Sequence, residues 1–178
     1  MSTRKKIVAL CGSTRKYSTN HRLIDVIKAM YDQELEIIMC GGLDSLPHFN
    51  PDIEDAFLPQ QLLEFRQLLH LSDGILICTP EYAHGVPGVL KNAIDWTVSS
   101  SEFSHKPTVL ITASTDGRYG HAALLETLRV IEADVDEFQL HIPFAQTKIS
   151  RDGNISDENT AKEIETLMTR FIERLNRM

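Results

Sequence analysis

No apolar run in this sequence comes near the roughly 18 residues that a membrane-spanning helix needs. Positive charge is also short. Eighteen lysines and arginines stand against 25 acidic residues, and the formal net charge of −7 excludes the broad basic face that a nucleic-acid partner requires. Cysteine is scarce: Cys11, Cys40 and Cys78 are the three in the chain, with no paired spacing for a metal. Each falls in or beside a strand-like run, where a free thiol serves as a small core residue. Several familiar signatures are absent as well. Without G-x-x-x-x-G-K-[ST] there is no P-loop, and without G-x-G-x-x-G after the first strand there is no dinucleotide fingerprint. Without G-x-S-x-G there is no nucleophile elbow. Repeats, linkers and low-complexity stretches are missing too, so 178 residues of ordinary globular composition read as a single domain, 1–178. The start is basic, and the apolar stretch 7–11 that follows is too short for a signal-peptide core, which makes a cytoplasmic location the expectation.

What is present is a repeated alternation. Apolar strand-like runs at 6–11, 36–40, 74–78, 108–113 and 138–142 are each followed by apolar positions at helical spacing. The first helix is expected over 19–32 and the last is opened by Asp157 as N-cap, with Ile164, Leu167, Met168, Phe171, Ile172 and Leu175 on one face. Residues 43–58 carry Pro47 and Pro51 and no period, and form a long loop with Phe49 and Phe57 free to face outward. Five strand–helix units imply a parallel sheet with helices on both faces, and five strands favour the flavodoxin-like order 2-1-3-4-5. In such sheets ligands bind beyond the carboxyl ends of the strands, where strands 1 and 3 diverge.

Three unusual loops meet at that edge. The loop after strand 1 runs Gly12-Ser13-Thr14-Arg15-Lys16-Tyr17-Ser18-Thr19-Asn20. Hydroxyls and cations at a helix start suit a phosphomonoester, because the first-turn N–H groups lack intrahelical partners and the dipole adds positive potential. An ordinary polar loop with Ser18 or Asn20 as N-cap is the competing reading. The loop after strand 3 holds Pro80-Glu81-Tyr82-Ala83-His84-Gly85-Val86-Pro87-Gly88, and the loop after strand 4 holds Ser114, Thr115, Gly117 and Gly120. A phosphate site at one end and an aromatic, glycine-rich wall at the other suit a planar heterocycle on a phosphorylated tail, and FMN has that shape. Tyr82 is either a cofactor wall or a core aromatic, and Glu81 either a site residue or a solvated charge. His84 and His121 lie near the site, with direct catalysis the minority reading for both. No histidine has ligand spacing, so no metal is expected. Lys91, Asn92, Asp95 and Trp96, on the helix after strand 3, read as structural or subunit contacts.

The segments Gly12-Ser13-Thr14-Arg15…Ser18…Asn20 and Pro80-Glu81-Tyr82…Gly85-Val86-Pro87-Gly88-Val89-Leu90-Lys91-Asn92-Ala93-Ile94-Asp95-Trp96 resemble the NADPH-dependent FMN reductase family. That family is flavodoxin-like and includes quinone, azo-dye and chromate reductases. The resemblance implies that Ser13, Arg15, Ser18, Thr19 and Asn20 hold the FMN phosphate. It implies that Pro80, Glu81 and Tyr82 flank the ribityl chain and isoalloxazine, with Ala83 and Gly85 beside the ring and Ser114 and Gly117 closing the other side. Two positions depart from the pattern: Ala83 replaces a common Asn, and His121 follows Gly120 where a second glycine is frequent. The implied activity is hydride transfer from NADPH or NADH to bound FMN, then to a quinone, azo compound, chromate or free flavin in a ping-pong cycle. No catalytic side chain is required, since the flavin carries the chemistry. A homodimer or homotetramer with a small-molecule acceptor is also implied. A flavodoxin-like electron carrier serving a protein partner is the alternative, and a binding protein without cofactor a third.

Overall fold

The structure, a computed structural model, describes residues 4–53, 57–150 and 152–178. Residues 1–3 of the basic start and 54–56 of the aperiodic loop lie outside it. Strands β1 (Lys5–Cys11), β2 (Leu35–Cys40), β3 (Gly74–Thr79), β4 (Thr108–Ala113) and β5 (Gln139–Ile142) form one parallel sheet in the order β2-β1-β3-β4-β5. Helices α1 (Thr19–Met30), α2 (Gln60–His70), α3 (Gly88–Asp95) and α4 (Arg118–Val130) make the crossovers; α5 (Ala145–Lys148) and α6 (Glu158–Asn176) follow β5. This is the flavodoxin-like arrangement expected from the alternation.

The three inner strands are continuous apolar runs because both faces are covered. Along β1, Ile7, Ala9 and Cys11 enter the core shared with α1 and α6, while Val8 and Leu10 enter the core shared with α2, α3 and α4. The same period of two divides Leu76 and Cys78 from Ile75 and Ile77 on β3, and Val109 and Ile111 from Leu110 on β4. Helix α6 is tethered by its cap: Thr160 N–H donates to the Asp157 carboxylate at 2.9 Å. The apolar stripe that follows, from Ile164 to Leu175, is buried. Phe171 meets Phe138 edge-on at 5.8 Å.

The long loop begins as a single 3-10 turn, Leu43–Ser45. Its middle is pinned to α3 and the residue after it, because Asn92 Nδ2 and Trp96 Nε1 both donate to the Pro47 carbonyl, at 2.9 and 2.8 Å. Asn92 and Trp96 therefore have structural roles. Phe57 is exposed, whereas Phe49 packs edge-on against Trp96 at 5.1 Å.

At the carboxyl edge β1 and β3 run in register, Cys11 beside Cys78, before their chains part to opposite faces. Gly12 sits at that parting. A Cβ there would lie 2.1 Å from Thr79 Oγ1 and 2.8 Å from Thr79 Cβ, so only glycine lets the two strand ends close up. The result is a crevice floored by β1, β3 and β4.

Candidate functional site

The crevice is a cavity of about 670 Å³, within the range of small-molecule and cofactor sites. One side is the β1–α1 loop. Ser18 caps α1 by accepting the Asn20 N–H at 3.1 Å, and Ser13 Oγ accepts the Arg15 N–H at 3.3 Å. Ser13, Arg15, Ser18, Thr19 and Asn20 all border the cavity. The Asn20 side chain is turned inward, however. Its Nδ2 donates to the Ala113 carbonyl at 3.1 Å, and its Oδ1 accepts from the Cys78 thiol at 3.3 Å. Asn20 thus ties the loop to β3 and β4, while Ser13, Ser18 and Thr19 border the cavity.

A cation outside the sequence reading also lines this wall. Arg22 donates through Nη2 to Thr19 Oγ1 at 3.1 Å, and its Nε is buried without a hydrogen-bond partner. A buried guanidinium N–H with no acceptor is costly, and an anion in the cavity would relieve it. The signal was present in sequence as an arginine four residues after Ser18, one turn into the helix and on the same face.

The opposite wall is Pro80, Glu81 and Tyr82. Tyr82 Oη lies 3.4 Å from Ser13 Oγ, which brings the first and third strand loops together. Glu81 N–H donates to Ser114 Oγ at 3.2 Å, which joins the fourth. Beyond Tyr82 the chain makes a two-residue hairpin turn. Tyr82 and Gly85 exchange backbone hydrogen bonds at 3.1 and 2.9 Å around Ala83 and His84, both at positive φ. Ala83 and Gly85 form the turn rather than the cavity wall. Gly117, with φ of 98°, precedes α4 and packs against His141, also outside the wall.

The end of the cavity is closed by Thr115 of the β4 loop, expected there from sequence, and by Ala145, Gln146 and Ile149 after β5, which the sequence pattern does not mark. That segment is held by backbone bonds from Phe144 to Thr115 and from Ala145 to Ser114, each at 3.0 Å. Helix α5 is a single turn, too short to show a period, so no sequence pattern announces it.

Burial decides the role of the cysteines. It pushes the Cys11 thiol up to about 11, and raises Cys78 well above the usual thiol range, with Cys11 adding to the effect. Both are protonated at neutral pH and lack thiolate reactivity. His121 faces the sheet instead of the cavity. Gln139 Nε2 is occupied with the Asp136 carbonyl, so its Oε1 accepts from His121 Nε2–H at 2.9 Å, and His121 Nδ1 pairs with Thr112 Oγ1 at 2.9 Å. Its desolvation lowers the imidazole pKa below the usual value. His84 stacks on Tyr119 with centroids 4.6 Å apart. Among the described residues no group of three or more His, Cys, Asp or Glu is placed to hold a metal ion, and no helix is long and apolar enough to cross a membrane. A second cavity, of about 440 Å³, lies between the C-terminal halves of α3 and α4 and has no strand-tip residue in its wall.

The chain is similar to known proteins over most of its length. The family model described as NADPH-dependent FMN reductase matches residues 5–145. A 2-hydroxy-1,4-benzoquinone reductase of a Burkholderia species is 32% identical over 176 residues, covering 93% of each chain. A quinone reductase of Escherichia coli is 30% identical across 100% of this chain and 99% of its own. Among solved structures, the FerB flavoenzyme NAD(P)H:(acceptor) oxidoreductase of Paracoccus denitrificans superimposes with a TM-score of 0.83 at 27% identity, over 97% of this chain and 98% of that one.

Proposed function

The chain belongs to the NADPH-dependent FMN reductase family, and from that premise we propose that it passes reducing equivalents from NADPH or NADH, by way of FMN, to a small-molecule acceptor. The acceptor class is a quinone, an azo compound, chromate or free flavin, and the cycle is ping-pong. The observation that carries the reading is the meeting of a hydroxyl- and arginine-lined anion site with the Pro80–Tyr82 wall in one cavity at the divergence of β1 and β3.

The residues present fit FMN. The buried, unpartnered Nε of Arg22 calls for an acceptor, and an FMN phosphate supplies oxygens of the right charge. Ser13, Arg15, Ser18 and Thr19 would complete its donors, with Asn20 fastening the loop behind them. Pro80, Glu81 and Tyr82 would flank the ribityl chain and ring, with the Ala83–Gly85 turn supporting Tyr82 from outside the wall, and Ser114 and Thr115 would bound the far side. When bound, FMN supplies a carrier that accepts a hydride and returns two electrons to an acceptor. The protein's part is to hold the phosphate against a net charge of −7, to orient the ring through its walls, and to leave one face open for donor and acceptor in turn. Protons taken up by the acceptor come from solvent, so no dedicated acid or base is assigned.

An electron carrier for a protein partner is less well supported, because the relatives matched are named as reductases of small molecules. The working unit is proposed to be one domain in a cytoplasmic homodimer or homotetramer, and exposed apolar side chains such as Phe57, Val98 and Val130 support assembly. Sedimentation of a fully active monomer overturns that part. The main test is stopped-flow: NADPH added anaerobically should bleach the visible absorption band of the bound oxidised flavin. A quinone added afterwards should restore it. Absence of bleaching rejects the reductase reading.

A further inference from the structure

The Glu81 carboxylate accepts the backbone N–H of Gly120 at 2.6 Å. Gly120 is in the first turn of α4, whose own N-cap, Gly117, has no side chain to offer, and whose first turn carries no acidic residue. Glu81 therefore caps α4 from another loop, 39 residues away in sequence. The geometry is that of a carboxylate at a helix N-terminus, where an unpaired donor and the dipole both favour negative charge.

The contact is built closely. A Cβ on Gly120 would stand 3.0 Å from the Gly85 carbonyl oxygen and 3.1 Å from Glu81 Cγ, so the turn after Tyr82 rests directly on the helix. His84 adds its ring stack on Tyr119, and Arg118 covers the same ring at 5.1 Å. Between these fastenings lie Ala83 and His84, both left-handed, with neither the glycine nor the asparagine that such a turn prefers. A turn of this kind persists only where its surroundings hold it.

We infer that Glu81 is a positioning residue: by capping α4 at Gly120 it clamps the Tyr82–Gly85 turn and so sets the placement of Tyr82 and the adjoining backbone beside the flavin. The inference rests on the FMN reading above and assigns Glu81 no contact with the reacting atoms. It predicts that the clamp governs how long FMN stays bound and how the ring is seated.

The test uses the holoenzyme, diluted so that released FMN is seen by its fluorescence, with visible circular dichroism of the bound flavin as the second readout. Glu81→Ala should speed release by about tenfold or more, the scale of losing one charge-assisted hydrogen bond. Glu81→Gln keeps an acceptor oxygen and should recover a large part of the loss. Gly120→Ala, which lifts the turn while leaving Glu81 intact, should mimic Glu81→Ala. The double variant should release FMN no faster than the worse single one, because both break one clamp. If Glu81→Ala fails to fold, Glu81→Gln and Gly120→Ala carry the comparison. Wild-type release rates and an unchanged dichroism spectrum in Glu81→Ala or Gly120→Ala overturn the inference, while failure of the wild type to bind FMN overturns the reading beneath it.

Discussion

Asn20 and Ala113 are joined by a buried hydrogen bond of 3.1 Å from the side-chain amide to the backbone carbonyl, across 93 residues of sequence. With the Cys78 thiol on its Oδ1, the Asn20 amide fastens the start of α1 to the ends of β3 and β4. The β1–α1 loop is thus held in place through the side-chain amide of Asn20, both of whose polar atoms are engaged by β3 and β4.

Asn20→Ala should accordingly lower the stability of the protein stripped of FMN. It leaves the Ala113 carbonyl and the Cys78 thiol without partners, a cost of about 1–3 kcal/mol. For a chain of this length that is a fall in Tm of roughly 2–10 °C. Thermal melts with and without saturating FMN check it. A loss seen only with FMN present would mean that Asn20 acts on the phosphate directly.

Substitution of Arg22 tests the proposed phosphate site apart from the proposed ring site. Arg22→Met keeps the apolar stem and removes the buried, unpartnered N–H. It should weaken FMN binding by about 1.5–3 kcal/mol, or roughly 10- to 150-fold in Kd. Riboflavin lacks the phosphate, so its affinity should stay near the wild-type value. Titration of both ligands gives the ratio, and equal losses for the two would place Arg22 elsewhere than at the phosphate.

Ala83 carries backbone strain, with φ of 48° in a two-residue turn. The left-handed conformation costs an L-residue about 1–2 kcal/mol, and asparagine tolerates it better. Ala83→Asn should stabilise the protein by about 0.5–1 kcal/mol, read as a rise in the midpoint of urea unfolding. A decrease would mean that an Asn side chain collides at the turn.

The His121 imidazole has its pKa lowered by burial, against a smaller opposing effect of the hydrogen bond with Gln139 and a small further lowering from His141. The native state thus binds a proton there less readily than the unfolded chain does. This contribution to stability is complete above the ordinary histidine value of about 6.5 and is lost as pH falls below it through the lower native value. Urea midpoints measured from pH 7.5 to pH 5 (roughly the histidine titration range) should fall for the wild type. The fall should be shallower in His121→Gln, and parallel curves would assign the pH dependence to other groups.

Much of this architecture can be read from the chain before folding. Five runs of strand length, each followed by a helical period, specify a parallel sheet, and the nearly continuous apolar character of the three inner runs specifies that both faces are covered. The loop chemistry at Ser13, Ser18, Pro80 and Tyr82 pointed to the edge where the cavity lies, because strand order alone brings those loops together. Local pattern does not reveal which way a side chain turns once the loops meet. Asn20 faces inward, Glu81 reaches Gly120, and Arg22 joins the cavity wall through contacts that rotamers and packing choose. Helix α5 escaped because one turn carries no period. Order and periodicity along the chain set the fold and the location of the site, while the roles of individual polar atoms were decided by distant backbone groups that only the folded structure brings within hydrogen-bond reach.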